Sequence, residues 1–305
     1  MIQRSTHPAL LRSGIRKVFF SGYKDSITDL KKLYNVQDSS KAYEIDYRMA
    51  AFGSAKIVNE GANVDMQDST DLYENQYNHI KYGLGFKVSD EAVNDDQYGK
   101  VMSMTRALSR SMRGTIQILA ATVYANAFTT AGFDGKVLCA DDHPIADGST
   151  GDNKITAALD ALGLEQALEL FHRFKSDEGF YIDVDPQYLI VPPELKFTAV
   201  RLLKSMGYPT IDLASAPTAS ALGPNDTNVL GDQGLKLVVF PYLTDEDDWF
   251  VRANTGEDDG ILWFWREEPD MIDWRDNDSR AQCYNSVMRL SKGFSDWRGI
   301  VGSSV

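Results

Sequence analysis

The chain has 305 residues, 43% hydrophobic and 25% charged, with 31 Lys plus Arg against 44 Asp plus Glu, a formal net charge of −13. That is the composition of a folded protein of one large or two ordinary domains, not of a disordered tail. The acidic excess argues against a surface that grips nucleic acid along its whole extent. Two distant cysteines, Cys139 and Cys283, exclude a disulfide scaffold and an all-cysteine zinc site, and read as reduced, buried thiols.

Residues 1–8 carry no apolar stretch of the kind a signal peptide needs. Residues 1–34 hold seven basic residues against Asp25 and Asp29 and form a basic arm. Ser21-Gly22-Tyr23 breaks this arm, and Ile27, Leu30, Leu33 and Tyr34 predict one short amphipathic helix within it. Residues 41–58 and 73–88 alternate apolar with polar side chains (Tyr43, Ile45, Tyr47, Met49; then Tyr82, Leu84, Phe86, Val88). Period-two patterning predicts two strands of a long antiparallel hairpin, with the polar segment 59–65 between them. Such a hairpin is marginal alone and must lie on something else.

Ser89-Asp90-Glu91 reads as a helix start. From Val101 the steps of three and four through Met104, Leu108, Met112, Ile116, Leu119, Val123 and Ala127 predict one long helix over about 97–129, with Lys100, Arg106, Arg110 and Arg113 opposite. Its uncharged end, 114–133, carries Thr115, Gln117, Thr122 and Asn126, too polar for a membrane span. A polar loop follows over 133–153. Next come a helix at about 163–175, a strand over 180–191, and a helix beginning at Pro193. Beyond the loop 207–228, strands are expected at 235–243, 248–253 and 260–267, and the last 35 residues mix short strands with a turn around residue 296. Thirteen acids against three arginines over 245–278 make this region the acidic pole of the chain.

Nucleotide-binding glycine loops, His-Glu-x-x-His and Gly-x-Ser-x-Gly are all missing from the sequence. Asp141-Asp142-His143 with Asp147 is the best catalytic-looking cluster, since carboxylates beside a histidine can hold a metal or move protons. The same residues are ordinary turn formers. Asp245-Glu246-Asp247-Asp248 and Glu257-Asp258-Asp259 lack calcium-loop spacing and read as a solvated edge. All five tryptophans, Trp249, Trp263, Trp265, Trp274 and Trp297, follow residue 248, where burial inside the subunit and burial against a neighbour are both open.

Several stretches, in this order, carry a resemblance. They are Thr105-Arg106-Ala107-Leu108, Asp134-Gly135 through His143-Pro144, and Leu189 through Leu195 with Ala199 and Leu202 through Ser205. Then come Pro241 through Asp245 and Gly293 through Ile300. Together they resemble the major capsid protein of tailed bacteriophages, the Hong Kong 97-like fold, and within it the Mu-type major head subunit group.

The resemblance implies an α+β chain divided into an N-terminal arm (1–36), an extended E-loop hairpin (37–88) and a P domain with the spine helix (89–153). An A domain (154–270) and a C-terminal return to the P domain (271–305) complete it. It also implies a non-enzymatic subunit that self-assembles as hexamers and pentamers into an icosahedral head around double-stranded DNA. That subunit would be located in the virion and assembled in the host bacterial cytoplasm. Implied partners are a separate scaffolding protein, a portal and a decoration protein. DNA is enclosed rather than specifically bound, and no membrane is involved. No catalytic, cofactor-binding or metal residue is carried over. Lys56 near the hairpin tip is the obvious lysine for a crosslink, without an identified partner, and no crosslink is expected. The alternatives are an encapsulin-type nanocompartment shell protein and an enzyme using the Asp141/His143 loop.

Overall fold

The structure, a computed structural model, describes residues 8–50, 52–61, 63–64, 66, 68, 70–89, 91, 98–132, 134–145, 148–207, 227–255 and 260–305. The chain forms two compact units, each assembled from separate stretches of sequence: residues 1–44, 77–120 and 263–293 make one, and 45–76, 121–262 and 294–305 the other.

In the first unit, helix α1 spans Pro8–Leu33 without interruption. This corrects the expected break at Ser21-Gly22-Tyr23 and the single short helix. A Cβ on Gly22 would lie 2.7 Å from Ser109 Oγ, and the Ser109 hydroxyl donates to the Phe19 carbonyl at 2.9 Å. Gly22 therefore serves as a point of close approach to helix α2, Tyr98–Ala125, rather than as a breaker. Gly14 against Met102, Gly22 against Ser109 and the Tyr34 hydroxyl donating to the Ala120 carbonyl show that the two helices run in the same direction. On α2 the expected stripe is buried at Val101, Leu108, Met112 and Ile116, while Lys100, Arg106 and Arg110 are exposed. Of the expected start signal, Asp90 lies outside the described residues.

The sheet of this unit has the order β1-β11-β12-β4, from Asn35–Asp38, Ile261–Arg275, Gln282–Phe294 and Ile80–Val88. β4 runs antiparallel to β12, from Val88 opposite Gln282 to Ile80 opposite Leu290. The expectation of one strand over 73–88 is corrected by this pairing. Its first half is β3 (Thr70–Asn78), which pairs with β2 (Tyr43–Ala50), and its second half changes partner to β12. Tyr82 and Phe86 thus belong to this sheet, where Phe86 stacks on Tyr284 at 5.0 Å. The change of partner falls at His79, whose ring nitrogens each lie 3.0 Å from a serine hydroxyl, Ser39 and Ser291. Burial, with Arg289 nearby, pushes the His79 pKa down. The strand expected over 260–267 continues to Arg275, and of the short strands expected in the last 35 residues one, Gln282–Phe294, is 13 residues long while Ile300–Ser303 is short as expected. Lys292 on β12 donates to the Leu119 carbonyl, and burial lowers its pKa to about 8.

The second unit holds a short antiparallel pair, β5 (His143–Pro144) with β6 (Thr150–Gly151), and is built on a five-stranded sheet, β7-β13-β10-β8-β9, from Lys154–Ile155, Ile300–Ser303, Trp249–Ala253, Pro186–Val191 and Lys236–Val239. Its inner strand β10 is antiparallel to both β13 and β8. Helix α3, Ala161–Arg173, is capped by Asp160, whose carboxylate accepts from the Gly163 amide at 2.6 Å. It buries Leu164, Ala167 and Phe171 in a core shared with Leu189, Trp249 and Trp297. Helix α4 spans Lys196–Lys204, three residues later than expected from Pro193, because Pro193–Leu195 close a turn first. Of the five tryptophans, Trp249, Trp263, Trp265 and Trp297 are buried and Trp274 is exposed, which settles four in favour of burial within the subunit.

Replacing Gly22 by Leu sets a helix-propensity gain of about 1 kcal/mol against an overpacking loss of roughly 1–3 kcal/mol. With Ser109 already in contact, the loss wins. Thermal unfolding of Gly22→Leu is expected to shift downward, whereas an upward shift would show that α1 does not rely on this approach.

Candidate functional site

The Asp141–His143 cluster is a strut of the second unit. His143 is fully buried; its Nδ1 lies 2.7 Å from the buried Asp134 carboxylate and its Nε2 3.1 Å from Asn153 Oδ1. Its ring stacks on Trp297 at 4.6 Å. The Asn153 amide nitrogen donates to the carbonyls of Leu138, Trp297 and Ile300. Both ring nitrogens are engaged by the protein, leaving neither for a substrate. Asp142 is turned outward and pairs with Lys136, and Asp147 lies outside the described residues. A Cβ at Gly151 would stand 2.1 Å from the Trp297 ring. The two stretches singled out around His143 and Trp297 are thus two sides of one packed joint.

Asp245, Glu246 and Asp247 are exposed, and Asp245 accepts from the Asp247 amide in a local turn. Burial together with Asp245 and Asp247 raises the Asp248 carboxyl. Glu257, Asp258 and Asp259 lie outside the described residues. Among the described residues no group of three His, Cys, Asp or Glu could hold a metal ion. Both cysteines are free and buried, and burial pushes the Cys139 thiol up. No helix among the described residues is long and apolar enough to cross a membrane.

A different cluster organises the surface. Arg48 on β2 reaches Asp177 Oδ2 through Nε at 2.9 Å and Asp296 Oδ2 through Nη1 at 2.7 Å. Arg298 reaches the other oxygen of each carboxylate, Asp177 Oδ1 at 2.8 Å and Asp296 Oδ1 at 3.3 Å. The four side chains close a ring in which every charge faces two of opposite sign, beside a cavity of about 340 Å³. Burial alone would raise the Asp177 carboxyl, but the Arg48 and Arg298 guanidiniums outweigh it and hold the pKa below its ordinary value. Asn75 on β3 donates to the Phe294 carbonyl at 3.1 Å.

Beyond this anchored base, every described residue between β2 and β3 is exposed. Ile57 is 96% and Met66 91% exposed, and Phe52, Val58 and Val64 are also open to water. Phe52, Lys56, Val58, Val64 and Met66 line a cavity of about 370 Å³. An apolar loop on a fixed base has the form of a surface waiting for a partner.

The family model described as "Phage capsid protein" matches residues 73–303. The chain belongs to the phage capsid protein family. It is a major capsid protein, a structural subunit of a shell, with its place in the virion capsid. Its fold is Hong Kong 97-like. Mycobacterium phage Che8 has a similar structure at 15% identity, with 90% of each chain covered and a TM-score of 0.54. A virus-like particle from Pyrococcus furiosus is similar at 11% identity, covering 96% of this chain and 98% of that one, TM-score 0.54. An encapsulin complex from Synechococcus elongatus is similar at 11% identity, covering 90% and 86%, TM-score 0.52. No curated protein sequence matches the chain.

In this capsid protein the sequence reading missed Arg48, Asp177, Asp296 and Arg298. Arg48 sits in an alternating strand where a charge reads as wet, and its partners lie 129 residues or more away. Asp296 and Arg298 fall inside a recognised stretch, but their spacing alone announces no ring.

Removing one member of a buried ion-pair network costs roughly 3–5 kcal/mol, because its partners stay buried and unpaired. Arg48→Met is expected to destabilise the second unit on that scale, and Arg48→Met with Asp177→Asn to cost less than the sum of the single changes, measured by denaturant unfolding. The depressed Asp177 pKa means that its contribution is complete above the unfolded value of ~3.9 and is lost as pH falls through the lower folded value. Asp177→Asn should flatten this acid limb. An equally steep limb in the variant would contradict the assignment.

Proposed function

We propose that this capsid protein assembles as hexamers and pentamers into the icosahedral head of a tailed phage enclosing double-stranded DNA. The observation that carries the reading is the loop between β2 and β3. Its apolar side chains are exposed among the described residues, and a single subunit leaves them in water. A neighbouring copy would cover them, and copies joined by heterologous contacts close into rings. In this reading residues 1–36 act as the arm, 37–88 as the E-loop, 89–153 with 271–305 as the P domain and 154–270 as the A domain. The shell is built in the host cytoplasm with a separate scaffolding protein and a portal. The outer surface can take a decoration protein, and DNA is held without specific contacts. The recognised stretches point to the Mu-type group.

Negative-stain electron microscopy of the expressed chain, alone and with a scaffold candidate, should show rings or shells; a dispersed monomer in both samples would overturn the proposal. Replacing residues 52–68 with a short Gly-Ser turn keeps β2 and β3 and should abolish shells while leaving the subunit folded by circular dichroism. The likeness to an encapsulin supports a second reading, a compartment around protein cargo. Shells purified from infected or lysogenic cells distinguish the two by their contents, DNA for the head and protein for the compartment.

A further inference from the structure

Helices α1 and α2 hold ten basic residues against two acids, Asp25 and Asp29, in a chain whose total is −13. Over Tyr98–Ala125 the sequence of α2 contains no Asp or Glu at all. Lys100, Arg106 and Arg110 are exposed on it, with the exposed Ser103, Ala107 and Ser111 among them. These three cations make no ion pair with any described residue. By contrast Arg113, one turn further on, already has a partner within the chain, and Arg16 of α1 is held by Asp270 at 2.8 Å.

At ~1.5 Å per residue, Lys100 to Arg110 covers about 15 Å of helix, and Arg106 and Arg110, four residues apart, lie one above the other on the same side. Lys17 of α1 is exposed as well. It lies between Gly14, which approaches Met102, and Gly22, which approaches Ser109, so it stands at the level of Arg106 in the parallel pair. Asp25 and Asp29 come after Gly22, beyond this stretch. The result is a patch of four cations and three small residues, two of which carry hydroxyls, with no carboxylate from either helix at its level. It also has no apolar anchor. Among the described residues of both helices, Ile118 is the one large apolar side chain left exposed, about two turns past Arg110.

We propose that this patch, Lys100, Arg106 and Arg110 of α2 with Lys17 of α1, binds the phosphate backbone of double-stranded DNA without regard to base sequence. The proposal rests on the DNA-enclosing reading above and names the face of the subunit on which the DNA lies. The chemistry of the patch separates DNA from a protein partner. A protein interface is held by buried aromatic and aliphatic anchors, with charges at its rim, and this patch has no such anchors. Phosphate contacts are made by arginine, lysine and serine donors and carry no sequence information. A guanidinium meets a phosphate through two parallel hydrogen bonds. A duplex presents a charge every ~1.7 Å of its axis, so about 15 Å of helix meets several phosphates whatever the register. The acidic total does not prevent this. At physiological salt the screening length is about 8 Å, so carboxylates further from the patch than that are largely screened, while cations in contact are not.

The test is fluorescence anisotropy of a short labelled duplex of arbitrary sequence, titrated with the full chain at several salt concentrations. Affinity should fall linearly with salt on logarithmic axes, with a slope of about 0.9 per neutralised phosphate. Arg106→Gln with Arg110→Gln preserves helix propensity. It should weaken binding roughly tenfold and make the slope shallower by about 2, with circular dichroism unchanged and shells still formed in negative stain. Should that variant fail to fold, Lys17→Gln with Lys100→Gln should give the same shallowing. Folded variants that bind like wild type at the same slope overturn the proposal, and so does a wild-type chain that forms shells but binds no duplex; both results leave the capsid reading intact. A wild-type chain that binds the duplex but never forms shells overturns that reading and not the patch. Polyglutamate of matched charge tests for an acidic polypeptide: if it binds more tightly than the duplex, and the same substitutions abolish that binding, the assignment to DNA is overturned.

Discussion

Arg48, Asp177, Arg298 and Asp296 form a closed circuit of charges, and the loop between β2 and β3 depends on it. A lone buried ion pair is weak support, since desolvation offsets much of the attraction. A circuit differs because both oxygens of each carboxylate are bound, to a different arginine each. Little hydrogen-bonding capacity is left over to penalise burial. The result is an exposed apolar loop that leaves the body of its unit from a fixed strand. A fixed base reduces the ordering that association would otherwise require, which suits a segment whose apolar side chains must be covered by another molecule.

The elements with local signals were legible in the sequence. The long helix announced itself through its stripe from Val101 to Ile116, and β8, β9 and β10 of the second unit through short apolar runs between turn residues. What local reasoning could not see were choices made by distant partners. Gly22 reads as a break in isolation, yet Ser109 on the next helix makes it a contact that demands a glycine. The alternation changes phase between Tyr77 and Ile80, around His79, but a change of phase does not say which strand the chain pairs with on either side of it. Period two gives the face of a strand but not its neighbour.

The candidate site was legible in the wrong place. His143 beside two aspartates has the residue types of catalysis, and only burial and the pairing with Asp134 and Asn153 show a strut. Arg48 has the residue type of a wet strand face, and only the return of the C-terminal segment to Asp296 and Arg298 makes it a clamp. In both cases a residue whose neighbours in sequence suggested one role took another from neighbours in space.

The net charge of −13 carries the same lesson at a larger scale. As a total it describes solubility and the exclusion of a general grip on nucleic acid. As a distribution it describes direction. Part of the attraction between the basic arm and the acidic pole is satisfied inside one chain, between Arg16 and Asp270. What remains is spread over exposed side chains of both signs, Lys81 on β4 and Glu268 on β11 among them. Apolar cover and charge then divide the work of association. The exposed loop supplies area to be removed from water, a term indifferent to orientation. Charges of both signs on one surface make some approaches of two copies repulsive and others attractive. A subunit that assembles with copies of itself into a shell needs both terms, because apolar area alone does not choose an orientation.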